Sequence, residues 1–300
     1  PGVWNAWKGQ LLRELYEAAE EVLRLGHKQK GRQERIAAKQ AALQAALGWN
    51  EAAFTGWARR LPDSYWVAED SAVLAANARL ATEADAAGLP LAIAAQPDEA
   101  TGTTLVSIYA ADHPGLFYRI AGAISLAGGN IIDARIHTTR DGQALDNFVV
   151  VDPFGAPFAD PGQLARLQRS IDDVLTGRVR LADKLAARAP ARRRADVFRV
   201  EPRVLIDNKA SNRYTVVEVN AADRPALLFS LTNGLFQSRV TIHSAHIATY
   251  GERATDTFYI TDLTGAKIDN PTRLKQLERR LLALAGGANA KVETVAEAAE

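Results

Sequence analysis

The spacing of apolar residues predicts a helical region over roughly the first ninety residues. Apolar side chains recur every three to four residues in WNAWKGQLLRELYEAAEEVLRL, and RQERIAAKQAALQAALGW is rich in helix-favouring residues up to Gly48. A third helix is predicted over about 70–87, because the sequence GLP at 88–90 is a helix stop. The aromatic side chains between these helices are expected to be core anchors: Trp49, Trp57, Tyr65 and Trp66.

From about residue 100 the pattern changes to alternating strands and helices, and the sequence repeats itself. LVSIYAADHPGLFYRIAGAISLAGGNIIDARIHTT aligns with TVVEVNAADRPALLFSLTNGLFQSRVTIHSAHIATY, which places Asp112 on Asp223 at an offset of 111 (223 minus 112). Beyond a predicted hairpin the offset is 110, with Asp146 on Asp256, because RDGQA becomes GERA. A deletion at a turn is what a duplicated domain tolerates best. We therefore predict two copies of one domain, at roughly 100–208 and 213–296.

Each copy predicts the order βαββαβ, and hence an α+β fold of the ferredoxin-like class with both helices on one face of an antiparallel sheet. A proline in the first turn opens the first helix, and Asp141-Gly142 is a hairpin signal in copy one. The strands and helix start predicted in copy one are Leu105–Ala110, Ile131–Thr138, Asn147–Val151 and Asp160-Pro161. We expect Arg203–Asp207 to be the final strand of copy one and Lys291–Val295 that of copy two.

These patterns predict three regions. Residues 1–95 form a helical segment that leads into residues 96–208 as the first domain and 209–300 as the second. The stretch 178–199, with the basic run Arg192–Arg194, is read as a solvated linker in preference to an anion or nucleic-acid contact. The chain begins at Pro1 and contains no methionine, which suggests a fragment of a longer protein or a sequence that omits modified methionines.

Composition excludes several classes of function. A formal charge of +1 gives no electrostatic reason to expect nucleic acid or a membrane surface as a partner. No apolar run is long enough to cross a bilayer and no signal peptide opens the chain, so a cytoplasmic location is expected. Cysteine is absent, the five histidines lack metal-ligand spacing, and no nucleophile or phosphate-binding motif occurs. We therefore expect no catalytic residue, no metal site and no cofactor in this segment.

One turn has the chemistry of an amino-acid site. In AADHPGLF the backbone N–H groups near Gly115 and Leu116 open a helix, where they suit a carboxylate. At the other end of that helix Asn130 offers a donor and an acceptor for a zwitterionic head group. The alternative is that these glycines are only turn and cap residues. Copy two has Ala226 and Thr241 at the matching places, which leaves open weak binding, another ligand, or a wall of a shared site.

The DHPGLF turn followed by GGNI resembles that of ACT domains, the amino-acid-sensing modules of many metabolic enzymes. From VWNAWKGQLLRELY through DSYW to SAHIATYGERATDTFYITDLTGAKI, nearly the whole chain is similar to the C-terminal part of a family of bifunctional uridylyltransferase/uridylyl-removing enzymes. Those enzymes modify the PII nitrogen-signalling protein. The resemblance implies a nucleotidyltransferase domain and a metal-dependent (Mg or Mn) hydrolase domain that are absent here, and two ACT domains that respond to L-glutamine.

The resemblance also implies the site and the partners. The positions that it assigns to glutamine are Asp112, His113, Gly115, Leu116, Gly129, Asn130 and Ile131, followed by Asp223 and Ala226 in copy two. The implied partners are glutamine, the PII protein through the full-length enzyme, and the catalytic domains of the same chain. A homo-oligomer formed through ACT sheets is a further expectation. The alternative is a tandem ACT assembly module without its own ligand; an active enzyme with an unrecognised site is disfavoured because no titratable cluster converges.

Overall fold

A computed structural model of the chain describes residues 29–181, 183–184, 200–224, 226–250 and 253–286. The first predicted helix, His27, most of the basic stretch 178–199, Pro225 and the predicted strand Lys291–Val295 lie outside these residues. The packing of the chain forms two compact units. Unit 1 comprises Pro1–His113 and Arg135–Asp172, and unit 2 comprises Pro114–Ala134 and Asp173–Glu300.

The described helices and strands follow the predicted change from helical to mixed structure. The helices are α1 (Gln29–Leu47), α2 (Glu51–Arg60), α3 (Asp63–Ala68), α4 (Ser71–Ala87), α5 (Leu116–Ala127), α6 (Pro161–Leu175), α7 (Leu227–Gln237) and α8 (Pro271–Ala285). The strands are β1 (Leu91–Asp98), β2 (Thr103–Ala111), β3 (Asn130–Arg135), β4 (Gln143–Val151), β5 (Arg203–Asp207), β6 (Thr215–Ala222), β7 (Val240–Tyr250) and β8 (Arg253–Asp262).

Local signals in the sequence set the helix ends in unit 1. The Asp70 carboxylate accepts a hydrogen bond from the backbone N–H of Val73 and caps α4, which ends at Gly88 in the left-handed conformation. The helix predicted to stop near Gly48 is α1, and that glycine is also left-handed. The aromatic residues between the helices are core residues, as predicted, with Tyr65 and Trp66 almost fully buried. They pack in one cluster with Tyr109 of β2 and Leu145 of β4.

The sheet of unit 1 has the strand order β1-β2-β4, and both pairs are antiparallel. Strand β1 is a correction to the sequence analysis, in which the helical segment ran to residue 95. Its sequence, LAIAAQPD, contains a single β-branched residue, so composition does not favour a strand there. The strand forms because a short turn at residues 99–102 lets it pair along nearly its whole length with β2.

In unit 2 the strands are ordered β3-β7-β8-β6-β5. Residues Arg203–Asp207 are a strand, as predicted, but the assignment to the end of copy one is wrong, because this strand forms an antiparallel hairpin with β6 and opens copy two. The register shows why. Ile93 lies opposite Ile108 and Val204 opposite Val219, and both differences (204 minus 93, 219 minus 108) equal 111. The duplication therefore extends upstream to include β1 and β5.

The two units do not follow the sequence repeat. Helix α5 belongs to copy one by sequence, yet it packs against α7 of copy two within unit 2. Tyr118 of α5 contacts the rings of Phe229 and Phe236, with ring centroids 5.9 and 5.2 Å apart. The boundaries predicted at residues 95/96 and 208/209 remain a prediction.

Candidate functional site

The turn before α5 has a backbone that only glycine adopts without strain. Gly115 has φ 90° and ψ 1°, and α5 begins at the next residue, Leu116, with no side-chain cap. A Cβ atom at Gly115 would lie 2.5 Å from Cε1 of Tyr118 and 3.3 Å from Cε2 of Phe236. The groups that approach Gly115 closely are thus aromatic side chains of the same unit.

Asp112 and His113 precede this turn in unit 1, and both are exposed. The N–H of Asp112 donates to the carbonyl of Gly142 at 3.0 Å, and the Thr138 hydroxyl donates to Oδ2 of Asp112 at 2.6 Å. The predicted hairpin turn thus holds the backbone and the side chain of Asp112. A carboxylate fixed in this way on the surface is available to a cationic group.

The remaining copy-one positions lie at the other end of α5. The N–H of Gly129 donates to the Ile124 carbonyl at 2.9 Å, so this glycine helps to end the helix. Asn130 is exposed as the first residue of β3, whereas Ile131 is a core residue. Because α5 has 12 residues, its ends are about 18 Å apart. One molecule the size of an amino acid cannot touch both Gly115 and Asn130 of the same copy.

Copy two keeps the shape of the turn without its glycine. Ala226 has φ 60° and precedes α7, again with no side-chain cap, so the left-handed backbone is conserved between the copies. Asp223 is exposed at the surface; partial desolvation raises its pKa, opposed by a hydrogen bond from the Arg224 backbone. Thr241, which stands where copy one has Asn130, is exposed at the start of β7. The scaffold of the turn and its aspartate are thus duplicated, whereas Thr241 replaces the amide side chain of Asn130.

The structure reveals a second duplicated feature, a buried aspartate on the equivalent strands β4 and β8. Asp146 and Asp256 are each about 1% exposed, and Oδ1 of each lacks a hydrogen-bond partner. Burial, with the charge of Asp112 added, raises the pKa of Asp146 well above its usual range. Burial, with a smaller contribution from Asp223, raises the pKa of Asp256 to about 7. The repeat alignment paired these two positions, but only the burial of the strands shows that they are titratable core groups.

Within unit 1, the Glu69 carboxylate is the centre of a buried polar cluster that the sequence analysis did not identify. Glu69 is 1% exposed; Oε1 lies 2.7 Å from Nε2 of His137 and 3.0 Å from the amide nitrogen of Asn147. Oε2 lies 3.2 Å from the Arg135 guanidinium, and the Ser107 hydroxyl donates to Oδ1 of the Asn147 side chain. Residues 68 apart in sequence carry this contact, so no local motif could reveal it.

The electrostatics of Glu69 follow from that cluster. Burial by itself raises the pKa of this carboxyl group, but the hydrogen bond from His137 and the attraction of His137 and Arg135 outweigh it and lower the pKa. An ionised carboxylate can only accept, so the proton of the short contact is on Nε2 of His137. The cluster therefore joins the end of α3, where Glu69 is the C-terminal cap residue, to the strands of the unit 1 sheet.

Among the described residues, no group of three or more histidine, cysteine, aspartate or glutamate side chains could hold a metal ion. Within the same residues no helix is both long enough and apolar enough to span a bilayer.

Comparisons with known proteins agree with this architecture. Residues 104–157 match the family model of the ACT domain. Over 94% of its length the chain is 56% identical to a bifunctional uridylyltransferase/uridylyl-removing enzyme of Novosphingobium aromaticivorans, of which it covers 31%. A protein of the same description from Erythrobacter litoralis is 55% identical over 96% of the chain, again with 31% of the relative covered. The chain thus spans about a third of the length of the curated relatives it matches.

These similarities confirm the resemblance drawn from the sequence, and the ACT match confirms the α+β fold class. Among solved structures, an aspartate kinase from Synechocystis aligns over 61% of this chain and 26% of the kinase chain, with 16% sequence identity and a TM-score of 0.33.

Proposed function

We infer, from a chain that contains an ACT domain and is similar along almost all of its length to bifunctional uridylyltransferase/uridylyl-removing enzymes, that it is the glutamine-sensing region of such an enzyme. Glutamine binds at the ACT repeats and biases the activity of catalytic domains in a longer cytoplasmic protein whose substrate is the PII protein. This mechanism requires glutamine to bind two arrangements of the protein with different affinities.

The observation that carries this proposal is the turn that precedes α5. Gly115 gives the helix an N-terminus without a side-chain cap, and the exposed Asp112 carboxylate comes three residues earlier. A helix N-terminus favours the α-carboxylate of an amino acid, and an exposed aspartate favours its ammonium group. The same sequence, DHPGLF, lies within the residues that match the ACT family.

The length of α5 refines the proposal, because one glutamine cannot reach both of its ends. A pocket that uses Asp112 and Asn130 together must therefore take them from two chains, because each residue occurs once per chain and the other repeat has Thr241 in place of Asn130. Two substitutions distinguish the arrangements. If the pocket lies at one end of α5, either Asp112→Asn or Asn130→Ala weakens glutamine binding, but not both. If the pocket is composite, each of the two substitutions weakens glutamine binding.

The test is a calorimetric titration of the 300-residue chain with L-glutamine, with D-glutamine and L-glutamate as controls. We expect binding of L-glutamine, and a loss of about tenfold in affinity for each substitution that removes one hydrogen bond to the ligand. Thr241→Ala is the matched control for Asn130→Ala, since both residues are exposed at the start of equivalent strands. Absence of binding at millimolar L-glutamine would overturn the proposal.

A second function, assembly without a ligand, is favoured by one observation. The contact of Tyr118 with Phe229 and Phe236 shows that copy two serves as the packing partner of the copy-one helix. A repeat with that role needs no ligand of its own, which fits the replacement of Gly115 by Ala226. The mass in solution, measured by light scattering with and without glutamine, separates the two functions. A dimer that is unaffected by glutamine, in a chain that does not bind it, supports assembly.

A further inference from the structure

Arg60, the last residue of α2, links three parts of unit 1. Its Nη1 lies 2.7 Å from Oδ2 of Asp85 in α4, and its Nη2 lies 2.9 Å from Oδ2 of Asp141 in the hairpin turn. Nη2 also donates to the hydroxyl group of Tyr109 in β2, and the guanidinium lies 5.5 Å from the Trp57 ring centroid. Burial lowers the pKa of Arg60, but the hydrogen bonds with Asp141, Tyr109 and Asp85 outweigh it.

The backbone of Arg60 holds the same hairpin turn. Its carbonyl oxygen accepts a hydrogen bond from the N–H of Arg140 at 2.7 Å, next to the residue that its side chain pairs with. The turn is closed internally by Thr139, whose N–H donates to the Gln143 carbonyl at 2.8 Å. Two contacts on adjacent residues fix the orientation of the turn as well as its position, because a turn held at one point can still rotate.

The same hairpin turn, residues 138–142, also holds Asp112 through hydrogen bonds. The Gly142 carbonyl accepts from the N–H of Asp112 at 3.0 Å, and the Thr138 hydroxyl donates to Oδ2 of Asp112 at 2.6 Å. Asp112 is therefore connected to the end of α2 through one short turn, with hydrogen bonds at both of its sides. All of these groups lie in unit 1.

The contact between Arg60 and Tyr109 can be compared with copy two at one described position, that of Asn220. Asn220 stands in place of Tyr109 at the offset of 111 (220 minus 109), and its side-chain oxygen accepts from Thr255 of the neighbouring strand. The polar group that faces the helical segment in copy one is thus replaced by one that binds within the sheet. At this position, within the described residues, copy two does not repeat the contact that Tyr109 makes with Arg60.

We propose that Arg60 is a positioning residue for the Asp112 turn, and that the hairpin turn Thr138–Gly142 couples amino-acid binding there to the packing of the helical segment α2–α4. The coupling rests on the proposed function, since it assumes that the ligand binds at Asp112. The positioning does not, because it concerns hydrogen bonds that exist without a ligand. Spatial connection alone does not establish energetic coupling, so the test must measure it.

The test uses Asp141→Asn, which removes one charge from a half-exposed side chain and keeps its shape. Asp173→Asn is the matched control, because Asp173 pairs with Arg178 at 2.7 Å on the surface of unit 2. Amide hydrogen exchange is measured first without ligand. We expect faster exchange at Asp112 and Arg140 in Asp141→Asn and unchanged exchange in Asp173→Asn. Equal exchange in wild type and Asp141→Asn at both amides overturns the positioning role.

Glutamine titration of the same proteins tests the coupling. We expect Asp141→Asn and Arg60→Lys to weaken glutamine binding by about two- to thirtyfold, with Asp173→Asn like wild type. Glutamine should also slow exchange in α2 and α4 of the wild type and not in Asp141→Asn. The coupling is contradicted if Asp141→Asn binds glutamine with wild-type affinity and glutamine still slows amide exchange in its helices α2 and α4. Failure of wild type to bind glutamine is a failure of the proposed function, and the ligand-free exchange still decides whether Arg60 positions the turn.

Discussion

Nε2 of His137 lies 2.7 Å from Oε1 of Glu69, and both side chains are buried. The contact joins the helical segment to the residues that follow β3, and Arg135 of β3 and Asn147 of β4 donate to the same carboxylate. Removing one partner from a buried, charged cluster leaves the others without compensation, which costs more than the loss of a surface ion pair.

Glu69→Gln should therefore lower the free energy of unfolding by about 3 kcal/mol. The lowered pKa of Glu69 sets the pH dependence. Its contribution to stability is complete above the pKa of the unfolded state and is lost as the pH falls through the lower, folded pKa. Urea unfolding at pH 7 and pH 4 measures both effects. Glu83→Gln, on the exposed face of α4, is the control, and an equal effect of the two substitutions would refute the prediction.

Asp256 should produce the opposite pH dependence. Its folded pKa is about 7, above that of an unfolded chain, so its contribution to stability is complete at low pH and falls as the pH rises from about 4 to 7. The total loss is on the order of 4 kcal/mol. Asp256→Asn should reduce this slope and leave the part that comes from the buried Asp146, whose pKa is also raised, whereas Asp183→Asn, at an exposed position, should preserve the whole slope. Chemical denaturation at pH 5 and pH 8 is the measurement, and a slope in Asp256→Asn equal to that of the wild type contradicts the assignment.

The two turns before α5 and α7 should respond in opposite directions to exchange of glycine and alanine. Gly115→Ala forces a left-handed alanine against Tyr118 and should destabilise the chain by about 1–2 kcal/mol. Ala226→Gly relieves the same backbone strain at φ 60° and should be neutral or stabilising by up to about 1 kcal/mol. Thermal unfolding of both variants is sufficient. Destabilisation by both, to a similar extent, would show that the side chain of Ala226 packs more favourably than its backbone is strained.

Thr104 and Thr215 should contribute similar amounts to the free energy of unfolding, each within its own copy. Each hydroxyl accepts a hydrogen bond from a backbone N–H after the hairpin, from Phe158 at 2.8 Å and Ile268 at 2.9 Å. Thr104→Val and Thr215→Val leave these buried N–H groups without acceptors, so each should cost about 1–3 kcal/mol. The exposed Thr249→Val is the control for the change of side chain in a strand. A cost in one copy only would mean that the other N–H finds water.

Features that depend only on neighbouring residues could be predicted from the sequence. Proline and glycine set the ends of helices, as at Gly48 and Gly88, because backbone freedom is a local property. The repeat was visible in the sequence because two copies of one fold need the same apolar positions. The helix start at Leu116, after Gly115, followed from the same local reasoning.

Contacts between residues that are far apart in the sequence could be identified only from the tertiary structure. Strand β1 has weak strand composition and exists because β2 is beside it, and the same geometry assigns Arg203–Asp207 to copy two. Neither Glu69 nor His137 is marked by its sequence neighbours, and their contact is strong because packing excludes water from both side chains. The distance between Gly115 and Asn130 is set by the length of α5, which lies between them. That length does not depend on which side chains stand at the two ends of the helix.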